Sequence, residues 1–173
     1  MMKTYLRSIA MVLSLGVTIA HAQVATPDQP AKDPSTIGQA LQLQASDLAG
    51  KRFTPTAIQN KVSVVFFWST TCAVCRDSLP ELRANLAGWR GKPFVLVTVN
   101  VDRARDDWVG YENIASRTQM PASGLLALRQ DALVPAPTRL PLTLLVDTRG
   151  KVVARFEGRL APEVWDGVAE LLP

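Results

Sequence analysis

The chain has 173 residues, 47% of them hydrophobic and 20% charged, with a formal net charge of +4. That length supports one domain with a real core and hardly two. One histidine and two cysteines cannot supply four Cys or His ligands, so a structural zinc site would need carboxylates or a second chain.

The first segment, "MMKTYLRSIAMVLSLGVTIAHA", places Lys3 and Arg7 ahead of an apolar stretch from Ile9 to Ala20. It ends in the small-x-small pattern Ala20-His21-Ala22, and we read residues 1–22 as a secretory signal peptide cut after Ala22. The apolar run is well short of the roughly 20 residues a bilayer needs. No cysteine follows it, which argues against lipoprotein processing. Cleavage leaves 17 basic residues against 15 acidic ones, a net charge of +2, too small to argue for nucleic acid. It also removes His21, the only histidine, and with it Ser-His and Cys-His catalysis and histidine metal sites.

Residues 23–36, "QVATPDQPAKDPST", are rich in proline and polar residues and read as a flexible linker. The domain is expected over 37–173. Leu41, Leu43 and Ala45 alternate, and "DLAGKRF" turns at Gly50, so a small N-terminal hairpin is expected. Val62 to Trp68 is an apolar run broken only by Ser63, suited to a strand buried on both faces. A helix should follow from Ala73 to Ala87, with Leu79, Leu82 and Leu86 on one face. Pro93 to Val101 reads as a second buried strand, Arg103 to Thr118 as a helix and Ser123 to Arg129 as a short strand. Leu142 to Val146 and "KVVARFEG" should form a hairpin across "DTRG", and Pro162 to Leu172 a closing helix. This order predicts an α/β layer fold with a mixed sheet.

The only two cysteines, Cys72 and Cys75, sit where the first central strand ends and its helix begins. A disulfide across so tight a loop removes unfolded-state entropy worth only on the order of 2 kcal/mol, so a structural staple would be poorly placed. A redox pair explains the position. Unpaired N–H groups and the dipole at a helix N-terminus favour a thiolate on Cys72. Cys72 would attack and Cys75, one turn in, would resolve the mixed disulfide. In "TRLPLTLLVD", Pro141 opens a strand, where its missing N–H is tolerable. A cis bond at Leu140-Pro141 facing Cys72 would free the Leu140 backbone for an extended substrate, although by pattern alone, with Pro135 and Pro137 nearby, a plain strand-opening proline is the better reading.

Together these residues resemble the thioredoxin superfamily, and within it the TlpA/ResA-like extracytoplasmic thiol–disulfide oxidoreductases. "FFWSTTCAVC" looks like that family's strand-end CxxC motif, Pro80 like the proline of the active-site helix, and "LPLTLLVDTRGKVVARFEG" like the cis-proline strand and its hairpin. The resemblance covers roughly residues 37–172. It implies a thioredoxin-like three-layer fold with a central mixed sheet, an N-terminal β-hairpin and an insertion before the cis-proline strand. It also implies Cys72 and Cys75 as the catalytic pair. Substrate would lie against Leu140, Pro141, Trp68 and Thr71, with Pro80 and Ser78 in support and no metal or cofactor. Partners would be protein thiols and disulfides and a membrane electron donor, in the periplasm.

Three positions depart from the family pattern. Thr71 replaces the usual tryptophan before the first cysteine, Phe66 stands where relatives often have a buried Asp or Asn, and Ser78 stands where cytochrome-maturation members have Glu. Cys75 must lose a proton to attack, and a buried carboxylate is the usual acceptor. Asp77 and Glu81 fall about 200° and 240° around the helix from Cys75. Ser78 lies on the right side but its hydroxyl will not accept the proton at neutral pH. Slower resolution is therefore expected than in carboxylate-bearing relatives. Two other readings remain open: an oxidant of the same fold that inserts disulfides, and a Cu(I) carrier using both thiolates.

Overall fold

Seven consecutive buried residues, Val62–Trp68, form the spine of the fold in a computed structural model that describes residues 37–119 and 123–173. β-branched and aromatic side chains suit a strand covered on both faces. In chain order the strands are β1 (Ala45–Ser46), β2 (Val62–Trp68), β3 (Phe94–Asn100), β4 (Leu125–Gln130), β5 (Leu142–Val146) and β6 (Val152–Glu157). The helices are α1 (Ala73–Gly88), α2 (Arg105–Thr118) and α3 (Val164–Leu171). The signal peptide and linker expected over 1–36 lie outside the described residues.

The six strands form one mixed sheet in the order β1-β4-β3-β2-β5-β6. β2, β3 and β4 run parallel, joined by α1 and α2, while β5 and β6 form the expected antiparallel hairpin beside β2. The sheet divides the core in two. On one face, Val62, Val64, Phe66 and Trp68 pack with Leu79 and Leu82 of α1, Trp108 of α2 and Val168 of α3. On the other, Val65, Phe67, Val97 and Val99 pack with Leu41, Ala45 and Ile58. All three helices thus bury side chains in the first cluster. The third layer is supplied by the N-terminal segment and a short 3-10 turn at Pro55–Ala57 that the hydrophobic pattern did not reveal.

The N-terminal hairpin is much reduced. Ser46 bridges Arg52, and Gly50 (φ +83°) makes the turn, but β1 is two residues long and its ladder is with β4, Ala45 opposite Gln130. Leu41 is buried without joining a ladder. The last helix starts two residues later than Pro162 because Trp165 and Asp166 donate to the carbonyls of Pro162 and Glu163, three residues back, in a tighter turn. The strand expected from Ser123 begins at Leu125, since Gly124 holds φ +85° and its carbonyl accepts from Leu96 N–H at 2.8 Å.

Candidate active site

Cys72 is the N-cap of α1, at the carboxyl end of β2. It is half-buried, and Cys75 is 0% exposed. The two are joined as a disulfide. The Cys75 N–H donates to Cys72 Sγ at 3.2 Å, and the Arg76 N–H to the Cys72 carbonyl at 3.1 Å. The sulfur therefore takes the place an Asx or Ser oxygen usually holds at an N-cap, with the positive end of the helix dipole beneath it.

The Leu140-Pro141 peptide bond is cis. Pro141 is buried and its carbonyl accepts from Gly158 N–H at 2.8 Å. Among the described residues neither the N–H nor the C=O of Leu140 joins a backbone hydrogen bond. Leu140 and Cys72 both pack at the edge of the apolar cluster that contains Trp68 and Cys75. Trp68 is wholly buried and meets Tyr111 of α2 edge-on, with ring centroids 4.6 Å apart. Val74, between the cysteines, is 47% exposed.

Behind Cys75 the polar groups are sparse. Phe66 is 0% exposed. Ser78 is buried and its hydroxyl donates to the Val74 carbonyl at 2.8 Å, four residues back along α1. A cavity of about 620 Å³ opens beside it, lined by Phe66, Ser78, Glu81, Leu82, Arg159 and Trp165. Glu81 is turned to Arg159 in an ion pair, and Asp77 is exposed. Pro80 lies within α1 and lacks the N–H that would bond the Arg76 carbonyl.

Ahead of Cys72 the loop is tied down by Asp102, two residues past the end of β3. Its carboxylate accepts from Ser69 Oγ at 2.5 Å, Asn100 Nδ2 at 2.8 Å and Thr70 N–H at 3.0 Å. Burial pushes the Asp102 carboxyl up, but the hydrogen bonds from Ser69, Asn100 and Thr70 outweigh it and hold the pKa below its ordinary value. Thr71 is exposed, its hydroxyl 2.8 Å from Ser69 Oγ. Arg129 of β4 donates to the carbonyls of Asp102 and Arg103, and Arg76 to that of Thr70 at 2.6 Å.

Residues 37–164 match the AhpC/TSA family. The chain belongs to the AhpC/TSA family. Its fold is thioredoxin-like. The thioredoxin domain of a thiol–disulfide oxidoreductase from Bacteroides vulgatus superposes with a TM-score of 0.61 at 19% identity, covering 83% of this chain and 100% of the other. A thiol:disulfide interchange protein from a Bacteroides species gives 0.61 at 21% identity, covering 81% and 92%. The exposed lipoprotein thioredoxin of Streptococcus pneumoniae gives 0.55 at 18%, covering 75% and 98%.

In this AhpC/TSA member, the structure brings together Cys72, Cys75, Trp68 and Leu140 around one cluster and sets Ser78 one turn below Cys75. Sequence reasoning missed Asp102, Ser69, Asn100 and Arg129. A signal was present: Asn100 ends and Asp102 follows a mostly apolar parallel strand, at the carboxyl end where α/β sheets place their sites. Trp108 is buried in the core, and Trp89 packs at its edge against Phe94, with 6.0 Å between centroids.

Proposed function

We propose that this protein is an extracytoplasmic thiol–disulfide oxidoreductase that reduces disulfides in proteins, with Cys72 attacking and Cys75 resolving. The observation that carries the reading is the unequal access of the two sulfurs. Cys72 is reachable at the mouth of α1 and Cys75 is 0% exposed, so an incoming disulfide meets Cys72 first.

The steps follow. The Cys72 thiolate attacks one sulfur of the substrate disulfide, and the other leaves as a thiolate. Cys75 loses its proton and attacks Cys72 Sγ, closing the Cys72–Cys75 bond and releasing the second substrate thiolate. Two electrons pass to the substrate, and a membrane electron donor returns two to the pair. An extended substrate segment lies against Leu140, whose free N–H and C=O offer it backbone hydrogen bonds. Trp68 backs the site, and Thr71 and Pro141 flank it. The address rests on the signal-like Met1–Ala22 and agrees with the exposed lipoprotein among the structural neighbours.

The test is the redox state of Cys72 and Cys75 in intact cells, fixed by acid quench and read with a thiol-alkylating mass tag. A mostly reduced pair supports a reductase held below the poise of its compartment. A mostly oxidised pair overturns the reducing direction and leaves the disulfide-inserting alternative. Stoichiometric Cu(I) retained by the reduced protein, with no disulfide reductase activity, would overturn the enzyme reading in favour of a carrier.

A further inference from the structure

The hydroxyls ahead of Cys72 have a direction. Asp102 Oδ1 lies 2.5 Å from Ser69 Oγ, and a carboxylate held ionised only accepts. The single Ser69 hydroxyl proton is therefore committed to Asp102. At the contact between Ser69 Oγ and Thr71 Oγ1, 2.8 Å, Thr71 must then be the donor. The Thr71 N–H donates to Ser69 Oγ as well, at 3.2 Å. The Thr70 N–H is shared between the two Asp102 oxygens at 3.0 and 3.2 Å.

Four donors of the loop directly before Cys72 are thus drawn toward Asp102 and Ser69. They are the hydroxyls of Ser69 and Thr71 and the N–H groups of Thr70 and Thr71. An anionic sulfur at Cys72 would keep the Cys75 N–H at 3.2 Å and the helix dipole. The Thr71 hydroxyl, its proton committed to Ser69, has none to offer an anion.

We propose that Asp102 is a positioning residue that withholds donors from the Cys72 thiolate and so biases the pair toward its disulfide form, making the protein a stronger reductant. The inference rests on Cys72 as the attacking sulfur. The balance it shifts is the exchange of the Cys72–Cys75 disulfide and two low-molecular-weight thiols for the protein dithiol and one small disulfide. Two electrons and two protons pass to the protein. Destabilising the thiolate moves that exchange toward the protein disulfide.

The charged groups around the loop are Arg76 from α1, Arg129 from β4 and Arg103 before α2. The Tyr111 phenol of α2 stands against Trp68. Arg76 and Arg129 are held on backbone carbonyls, and neither is altered by the variants below.

Asp102→Asn replaces the anionic acceptor with a group that also donates. Ser69→Ala is milder: it keeps Asp102 and the Thr70 bond but frees the Thr71 hydroxyl and N–H. Each purified full-length variant is equilibrated with glutathione redox buffers, and the Cys72 alkylation rate of the reduced protein is followed against pH. The expected result is a roughly tenfold shift of the equilibrium toward dithiol for Asp102→Asn, about 30 mV. A smaller shift of the same sign is expected for Ser69→Ala, and both alkylation midpoints move to lower pH. Lost thermal stability with an equilibrium within twofold of the parent overturns the proposal, as does a shift toward disulfide. Should Asp102→Asn not fold, Ser69→Ala decides alone. Failure of the underlying reading looks different: the parent would reduce no protein disulfide and would alkylate no faster at Cys72 than at Cys75.

Discussion

The backbone N–H of Cys75 points at the sulfur of Cys72 from 3.2 Å, so the residue proposed to resolve also holds the one proposed to attack. The contact is a main-chain one and survives replacement of the Cys75 side chain. Cys75→Ser should therefore trap a mixed disulfide at Cys72 with a protein substrate, visible on non-reducing gels. Cys72→Ser should trap none and fall to the uncatalysed background. Equal trapping by both variants would remove the assigned order.

Ser78→Glu should speed turnover near pH 7 by about a hundredfold, the lower end of what a positioned base contributes. The hydroxyl it removes is bonded, among the described residues, only to Val74 on the same helix, and the neighbouring cavity of about 620 Å³ has room for a carboxylate. Steady-state rates with a protein disulfide check this, and an unchanged rate would mean that Cys75 deprotonation does not limit the reaction.

Arg83 and Glu112 tie α1 to α2 at 3.8 Å, with side chains 14% and 8% exposed. Burial raises the Glu112 pKa and Arg83 opposes the rise. A carboxyl whose folded pKa is raised binds its proton more tightly when folded. Stability is therefore lost as pH climbs from the unfolded value, about 4.3, through the folded one. Arg83→Met removes the opposing cation, so its melting temperature should drop more between pH 4 and pH 8 than that of the parent. The single change should cost about 3 kcal/mol at neutral pH, and Arg83→Met with Glu112→Leu should recover most of it. Parallel pH profiles for parent and single variant would contradict the coupling.

Gly124→Ala should destabilise by about 2 kcal/mol in urea unfolding. The position has φ +85°, and a Cβ there would sit 3.3 Å from both Leu86 Cδ1 and the Phe94 carbonyl oxygen. A smaller loss would indicate that the turn into β4 shifts to accept the methyl.

The frame of the fold was readable because its signals are local. An apolar run broken only by Ser63, with a 3.6-period pattern after it, reads as β2 and α1, and the bounds of β5 at Leu142 and Val146 match the sequence reading residue for residue. What could not be read depends on contacts between distant segments. The ladder of β1 goes to β4, some 85 residues away in sequence, and no local pattern announces it. The same holds for the site. The spacing of Cys72 and Cys75 is short-range, whereas Ser69 and Asp102 are 33 residues apart and meet only because β2 and β3 run side by side, Trp68 level with Asn100.

The two ends of the sheet bear on how such a protein lives with its partners. Extended or partly unfolded chains will pair with any long bare strand, and an enzyme that handles them risks being nucleated into a growing stack. Here β1 is too short to act as a template, and Gly38, Gln39 and Leu41 already bond the start of β6 and the turn before it. The outer half of β6 carries Arg155 paired with Glu157 at 2.7 Å, a charged rim that a hydrophobic strand does not add to readily. On the proposed reading, a visiting chain is thus steered away from the margins of the sheet and toward the backbone of Leu140, unpaired among the described residues, where its stay can be brief.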